Sequence, residues 1–463
     1  MLFLILFPLS LLALLMLRHN TSFRQMSLLV SFAPLFWSLG LWALYDSAGA
    51  SFQFLTHVPA LHLSFGIDSF GLALITLTSG LFPLCVFLMR TPNSILCLLA
   101  LEYVLLASML VLDLLGFYIL FEASLIFLFF LIFRPHTLTR ELAQKPTLQA
   151  PRFGAIDAAY KIVLYTMAGS LLFLPAVFLL YCASGSTHLF VLLSHTLPQD
   201  AQILLGWAFF VVFAVKIPLI PVHLWLPEAH VAAPTAGSIL LAGVLLKLGG
   251  LGLIRFVIPL FPAFVVSALP LLTLLCLLSF LFSSLSTLRQ TDLKKIVAYS
   301  SIAHMALVTL TLLSLSESSA AHATFMMIAH GLVSPGLFLL VGFLYDRTHT
   351  KFLHYYTGLA TLMPLFASFF FLFTLANLSF PLFPNFIAEL LCLLSLSALH
   401  PLLPYVFCIC QILAALYGFG LFTRVMFGSP HILRTSSDLT RHELALVMPL
   451  FLSVLWLGIK PLA

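Results

Sequence analysis

The stretch Lys216-Ile217-Pro218-Leu219-Ile220-Pro221 lies inside an apolar run over 202–222, and 163 residues later Phe380-Pro381-Leu382-Phe383-Pro384 interrupts a second run over 359–400. Proline removes a backbone N–H and clashes with the preceding helical turn, so a pair at this spacing forces an unwound segment. Within a membrane the freed carbonyls of such a segment must face protein or water. A charge stands beside each break, Lys216 before the first and Glu389 after the second. Corresponding broken spans in two halves of one chain point to an inverted-repeat transport protein with its working residues near the membrane midplane.

The rest of the chain supports a membrane setting. Of 463 residues, 62% are hydrophobic and 8% charged, with 46 Phe; an ordinary globular domain carries about a quarter charged residues. The composition excludes a soluble enzyme, a disordered chain and a secreted disulfide scaffold. Apolar runs between polar breaks predict an all-α polytopic membrane protein with about 14 transmembrane helices. The offset between the breaks is five spans, an odd number that inverts the unit, so spans 4–8 are expected to recur inverted as spans 9–13, with helices 7 and 12 discontinuous. The expected organisation is N-terminal spans in 1–93, a first repeat in 94–259, a second, inverted repeat in 260–424, and an inner loop with the last span in 425–463. Lys and Arg should collect on the inner side. On this span assignment sixteen of the twenty do so, Arg255 and Lys460 fall outside, and Lys216 and Lys247 lie within spans. Both termini are then outside and the longest polar loop, 134–160, inside. The net charge of +5 is this asymmetry and gives no reason to expect nucleic-acid binding.

Residues 1–17 are apolar and the first cations, Arg18 and Arg24, follow them, the reverse of a secretory signal. The expectation is a retained first span, without an Arg-rich transit peptide, made inside an organelle or in a bacterium. The seven cysteines fall in or beside apolar stretches and read as small buried hydrophobes. Neither a group of four thiolates nor G-x-G-x-x-G is present, so redox chemistry is expected on another chain.

Five charged side chains cannot be moved into loops: Glu102, Glu122, Lys216, Lys247 and Glu389. A charge at a helix centre costs about 2.5 to 3.5 kcal/mol on translocon scales, which makes each a candidate for function. If Asp113 marks a hairpin, a rise of 1.5 Å per residue puts Glu102 and Glu122 about 16 and 14 Å deep. Lys247, eight residues before Arg255, falls about 12 Å from the outer face. His304 and His330 also lie within spans and can pass a proton near neutral pH. His223 and His230, flanking Leu224-Trp225-Leu226-Pro227-Glu228-Ala229, are expected to be structural.

Specific motifs now carry a resemblance. Phe121-Glu122-Ala123-Ser124, Lys216-Ile217-Pro218, His223-Leu224-Trp225-Leu226-Pro227-Glu228-Ala229-His230, Ala233-Pro234-Thr235-Ala236-Gly237-Ser238 and Leu246-Lys247-Leu248-Gly249 are followed by Gln290-Thr291-Asp292-Leu293-Lys294-Lys295, Ala298-Tyr299-Ser300-Ser301-Ile302-Ala303-His304-Met305 and His330-Gly331-Leu332. Over roughly residues 90–425 the chain resembles the antiporter-like membrane subunits of respiratory complex I. A Glu rather than Lys in span 12, Glu389, and a chain that stops after span 14 without a long lateral helix choose among the sister subunits. The resemblance implies proton translocation driven by NADH-to-ubiquinone electron transfer in partner subunits that carry FMN and iron-sulfur clusters. It implies an inner half-channel at Glu122 and Lys216 with Glu102 nearby, a central relay at Lys247, a polar axis through His304 and His330, and an outer exit at Glu389. Neighbouring antiporter-like chains are the implied partners, the inner-side cations would suit cardiolipin, and the mitochondrial inner membrane is the implied location, with a bacterial inner membrane as the alternative. The second functional reading is a subunit of a multi-subunit cation/proton antiporter. Leu382, Phe383 and Pro384 make the second break bulkier than the family pattern, and Pro335 adds a kink one turn after His330.

Overall fold

A computed structural model of the protein describes residues 2–18, 22–47, 49, 51–58, 63–133, 150–429 and 437–461. Among them, twelve helices are long and apolar enough to cross a membrane, and Phe7–Met16, Pro364–Asn377 and Pro384–Leu399 are shorter apolar helices. Many of their surfaces carry exposed Leu, Phe and Ile, among them Leu164, Phe178, Leu204 and Ile412, as a lipid-facing helix can and a water-facing one cannot. Of the cysteines, Cys85, Cys276, Cys392 and Cys410 are buried as expected, whereas Cys182 and Cys408 lie on exposed helix surface.

The chain forms two compact units. The first comprises residues 1–216, 232–240 and 247–267. In it Pro92–Leu110 and Leu114–Ile132 pack as neighbours joined at Val111–Asp113. The polar stretch before Ser69 forms an antiparallel hairpin, Gln53–Val58 with Leu63–Ile67, an addition to the all-α expectation. The Asp113 carboxylate holds it by accepting from the Ser64 N–H at 2.6 Å and the Ser64 hydroxyl at 2.9 Å.

The second unit comprises residues 217–231, 241–246 and 268–463. Both proline breaks are present as expected: helix Gln199–Lys216 ends at the lysine and resumes as Trp225–Ala232, and Pro364–Asn377 resumes as Pro384–Leu399. In the first break the Ser279 hydroxyl accepts from the Ile220 N–H at 2.9 Å, which satisfies a donor that would otherwise be stranded in hydrocarbon. In the second, Ser379 and Leu382 adopt left-handed backbone, with φ 56° and 87°. The same unit holds the final helix, Arg441–Ile459, through a two-pronged Arg347–Glu443 pair at 2.6 and 2.7 Å. Asp438 caps Pro364–Asn377 at the Leu365 and Phe366 N–H groups.

Two sequence expectations are corrected. Span 6 begins earlier: helix Ala150–Ser170 carries Arg152 ahead of a candidate span that runs over Ile156–Ser184 and takes in Lys161; its mixed composition hid a helix whose Ala158, Ala159 and Ile162 are buried. Residues 134–149, the remainder of the expected 134–160 loop, lie outside the described residues. Arg255 is not in an outer loop. It is helical and 3% exposed, because Asp68 supplies a buried counter-charge.

Candidate functional site

In the first unit, Glu102 lies in helix Pro92–Leu110 and is fully buried; neither carboxyl oxygen has a hydrogen-bond partner among the described residues. The Cys85 thiol is within its electrostatic reach. Glu122, in Leu114–Ile132, is half-buried and interacts electrostatically with Lys216, with the Ser170 hydroxyl on the same carboxylate. The Lys216 ammonium, 4% exposed, sits 4.0 Å from the centroid of the Phe121 ring. A cation over an aromatic face regains part of the solvation lost on burial. Residues adjacent in sequence, Phe121 and Glu122, thus serve one cation as ring and counter-charge. No hydrogen bond or ion pair joins Glu102 to this pair among the described residues.

Lys247 is fully buried in Leu246–Gly252, a short α-helical segment between two π-helical turns, Leu241–Leu245 and Leu253–Val257. Such bulges free backbone carbonyls and re-aim side chains. Close approach of Phe213 to Gly252, where any Cβ would collide with the ring, brings the Lys216 helix against this one within the unit. The π turns have no signal in composition or periodicity. The Arg255–Asp68 pair, in the second π turn and at the N-terminus of Ser69–Leu88, was also missed; it makes two hydrogen bonds while Asp68 caps Gly71 at 3.1 Å.

In the second unit the sequence-predicted residues do converge. His304 Nδ1 lies 3.3 Å from Glu389 Oε1, and the His304 and His330 rings are 5.4 Å apart between centroids. His304, His330 and Glu389 are 2%, 0% and 5% exposed. Gln411, which the sequence reading passed over, donates from Nε2 to Glu389 Oε2. Its only sequence signal is a carboxamide in an apolar run. Tyr417, two turns further along Leu403–Met426, is within electrostatic reach of Glu389. Of the two histidines expected to be structural, His230 is fully buried and stacked on Phe338 at 4.3 Å. His223 packs edge-on to Phe282 and Tyr299.

On the loop side of the second unit, Lys351 donates to the Val231 carbonyl at 2.6 Å, closing the C-terminal end of Trp225–Ala232. Burial lowers its pKa from the usual lysine value, and the Asp292 carboxylate partly offsets this. No group of three His, Cys, Asp or Glu side chains among the described residues could hold a metal ion.

These arrangements suit proton transfer: carboxyl, amine and imidazole groups are buried within apolar helices, where Glu122 faces Lys216 and His304 faces Glu389. The family described as NADH:quinone oxidoreductase/Mrp antiporter, TM, matches residues 111–414. NADH-ubiquinone oxidoreductase chain 4 of Chlamydomonas reinhardtii is 54% identical over 445 residues, covering 96% of each chain. The chain of the same name in Arabidopsis thaliana is 41% identical over 451 residues, 95% of this chain and 88% of its own length. Among solved structures, a chain of respiratory complex I from Thermus thermophilus superposes with a TM-score of 0.87 at 27% identity, covering 99% of this chain and 95% of that one. A chain of the Mrp complex from Dietzia sp. gives 0.84 at 18% identity, covering 99% and 94%, which shows a shared fold.

Proposed function

The chain belongs to the NADH:quinone oxidoreductase/Mrp antiporter membrane family, and from that premise we propose that it is the chain 4 subunit of NADH:ubiquinone oxidoreductase and carries protons across the membrane. The observation that carries the proton step is the set of buried ionisable residues within apolar helices: Glu102, Lys216, Lys247, His304, His330 and Glu389, with Glu122 half-buried beside Lys216. Evolution leaves such groups in a membrane interior where they move charge. The 54% identity to a complex I chain, against a likeness of fold alone to the Mrp chain, supports this reading over the cation/proton antiporter.

Glu122 and Lys216 form the entry pair, in which charging one changes the proton affinity of the other. Lys247 is the central relay. His304 and His330 continue the path and Glu389 is the exit group. Each proton moved against the potential takes about 2.3 kcal/mol per 100 mV. Electron transfer in partner subunits, which hold the FMN, iron-sulfur clusters and ubiquinone, supplies it. The neighbours are other membrane-arm subunits, cardiolipin suits the inner-side cations, and the location is the mitochondrial inner membrane with both termini on the intermembrane-space side. Lys247→Ala should abolish this chain's share of pumping while the complex still assembles on a native gel. An unchanged ratio of protons moved to NADH oxidised in that variant would overturn the relay.

A further inference from the structure

Within the second unit a small cavity, with room for about one water molecule, has Ser300, Thr374, Asn377 and Tyr417 among its lining residues. Tyr417 and Asn377 are 5% and 6% exposed, and neither the Tyr417 hydroxyl nor Asn377 Oδ1 has a hydrogen-bond partner among the described residues. The Ser300 and Thr374 hydroxyls spend their protons on the Val297 and Phe371 carbonyls, at 2.8 Å each, leaving lone pairs free to accept. One water could accept from Tyr417 and donate to Asn377 and a hydroxyl oxygen, the two to four partners that hold a buried water in place. Apolar lining would leave such a space dry; two orphaned polar atoms make dryness costly.

The position of the cavity gives it a role. Ser300 lies one turn before His304, and Ile296, also in the lining, lies one turn further back beside Lys294 and Lys295. Leu421, on another wall, is one turn beyond Tyr417 towards Arg424. The cavity therefore lies between the His304–Glu389 level and the cation-bearing loop ends that the charge distribution assigns to the inner side. Asn377 is the last helical residue before the second break. Asn385, one turn before Glu389 on the same helix face, is fully buried with both amide atoms unpartnered among the described residues.

We propose that this cavity is a water site through which Glu389 takes up protons from the inner side, with Tyr417 and Asn377 as the groups that position the water. The inference rests on the proton-translocating reading above and adds to it an inner-side supply for Glu389, whose release to the outer side still depends on the charge of Lys247. In the step itself every O–H bond that breaks is matched by one that forms: the water gives a proton to the Tyr417 hydroxyl, which passes its own on towards the Glu389 carboxylate within its electrostatic reach, and the water regains one from the inner side. The net change is one carboxylate neutralised and one proton removed from that side.

The test uses the assembled respiratory complex in sealed vesicles, reading protons moved per NADH oxidised and the rate of proton uptake. Tyr417→Phe keeps the ring and removes the hydroxyl, Asn377→Leu fills the site with an apolar side chain, and Asn377→Ser returns an acceptor. The Phe and Leu variants should lower the ratio and slow uptake about tenfold, the loss of one good hydrogen bond in the path, and Asn377→Ser should recover most of the loss. A structural role alone would not be rescued by serine. Parental ratio and rate in assembled Tyr417→Phe complex overturn the proposal, and that near-isosteric variant decides the matter if Asn377→Leu fails to assemble. Lys247→Ala run alongside separates the two failures. If it lowers the ratio while Tyr417→Phe does not, the water site falls and proton translocation stands; if neither does, the translocating reading falls with it.

Discussion

At the scale of single residues, the charged groups sort by how they are compensated. Arg255 and Asp68 are a buried ion pair with side chains 1% and 9% exposed, and Asp68 also caps its helix; this pair holds structure. Asp68→Asn leaves the guanidinium buried without a counter-charge and should destabilise the chain by about 3 to 5 kcal/mol. The expected readout is loss of assembled complex on a native gel. Asp68→Asn combined with Arg255→Met should restore it, and failure of that rescue would point to helix capping as the larger effect. Glu102, by contrast, is buried with no hydrogen-bond partner among the described residues, and the His304 imidazole stands 3.3 Å from the Glu389 carboxylate. Residue identity marked Glu102, Lys247 and Glu389 as unusual from the sequence, since nothing but depth in an apolar run was needed. It marked Arg255 wrongly, since its counter-charge stands 187 residues away. Gln411 was illegible for a similar reason: its importance comes from touching Glu389 across 22 residues of chain.

At the scale of elements, the two proline breaks follow from local stereochemistry and were legible as such. What closes around them was not. The second break is flanked by the final helix, where Gly458 packs so closely that a Cβ there would collide with the Leu382 carbonyl. The obstacle is backbone and cannot rotate away. Gly458→Ala should therefore displace either the final helix or the break, costing about 1 to 3 kcal/mol as overpacking does. A lowered thermal midpoint of the purified complex would register this, and an unchanged midpoint would show that the helix can slide. The π turns around Lys247 belong to the same scale. They insert a residue per turn without any special residue type, so the sequence reads as one continuous helix where the structure contains two changes of pitch.

At the scale of the whole molecule, sidedness rests on the Lys and Arg distribution. Moving Arg255 from an outer loop into a buried pair leaves Lys460 as the one outer cation in that sorting, and although Lys161 leaves the inner loop for a helix, the bias keeps its direction. Both termini are expected on the intermembrane-space side. A protease-cleavable tag after Ala463 should be cut when only that side is accessible, and protection there with cleavage from the opposite side would reverse the topology, including the side assigned to the Tyr417 cavity. The division of the chain into units is a property of this scale too. Residues 241–246 belong to the second unit while 232–240 and 247–267 belong to the first, an interleaving that no linear composition shift announces.

The sequence by itself determined that this chain lives in a membrane, where its helices break and which ionisable groups remain at depth. These follow from composition, proline stereochemistry and the cost of burying charge, all local or additive quantities. Only the tertiary structure decided which buried charges are compensated, which stand beside an aromatic ring or an imidazole, and where unsatisfied polar atoms enclose space for water. Those depend on distances between residues far apart in sequence, set by the packing of whole helices.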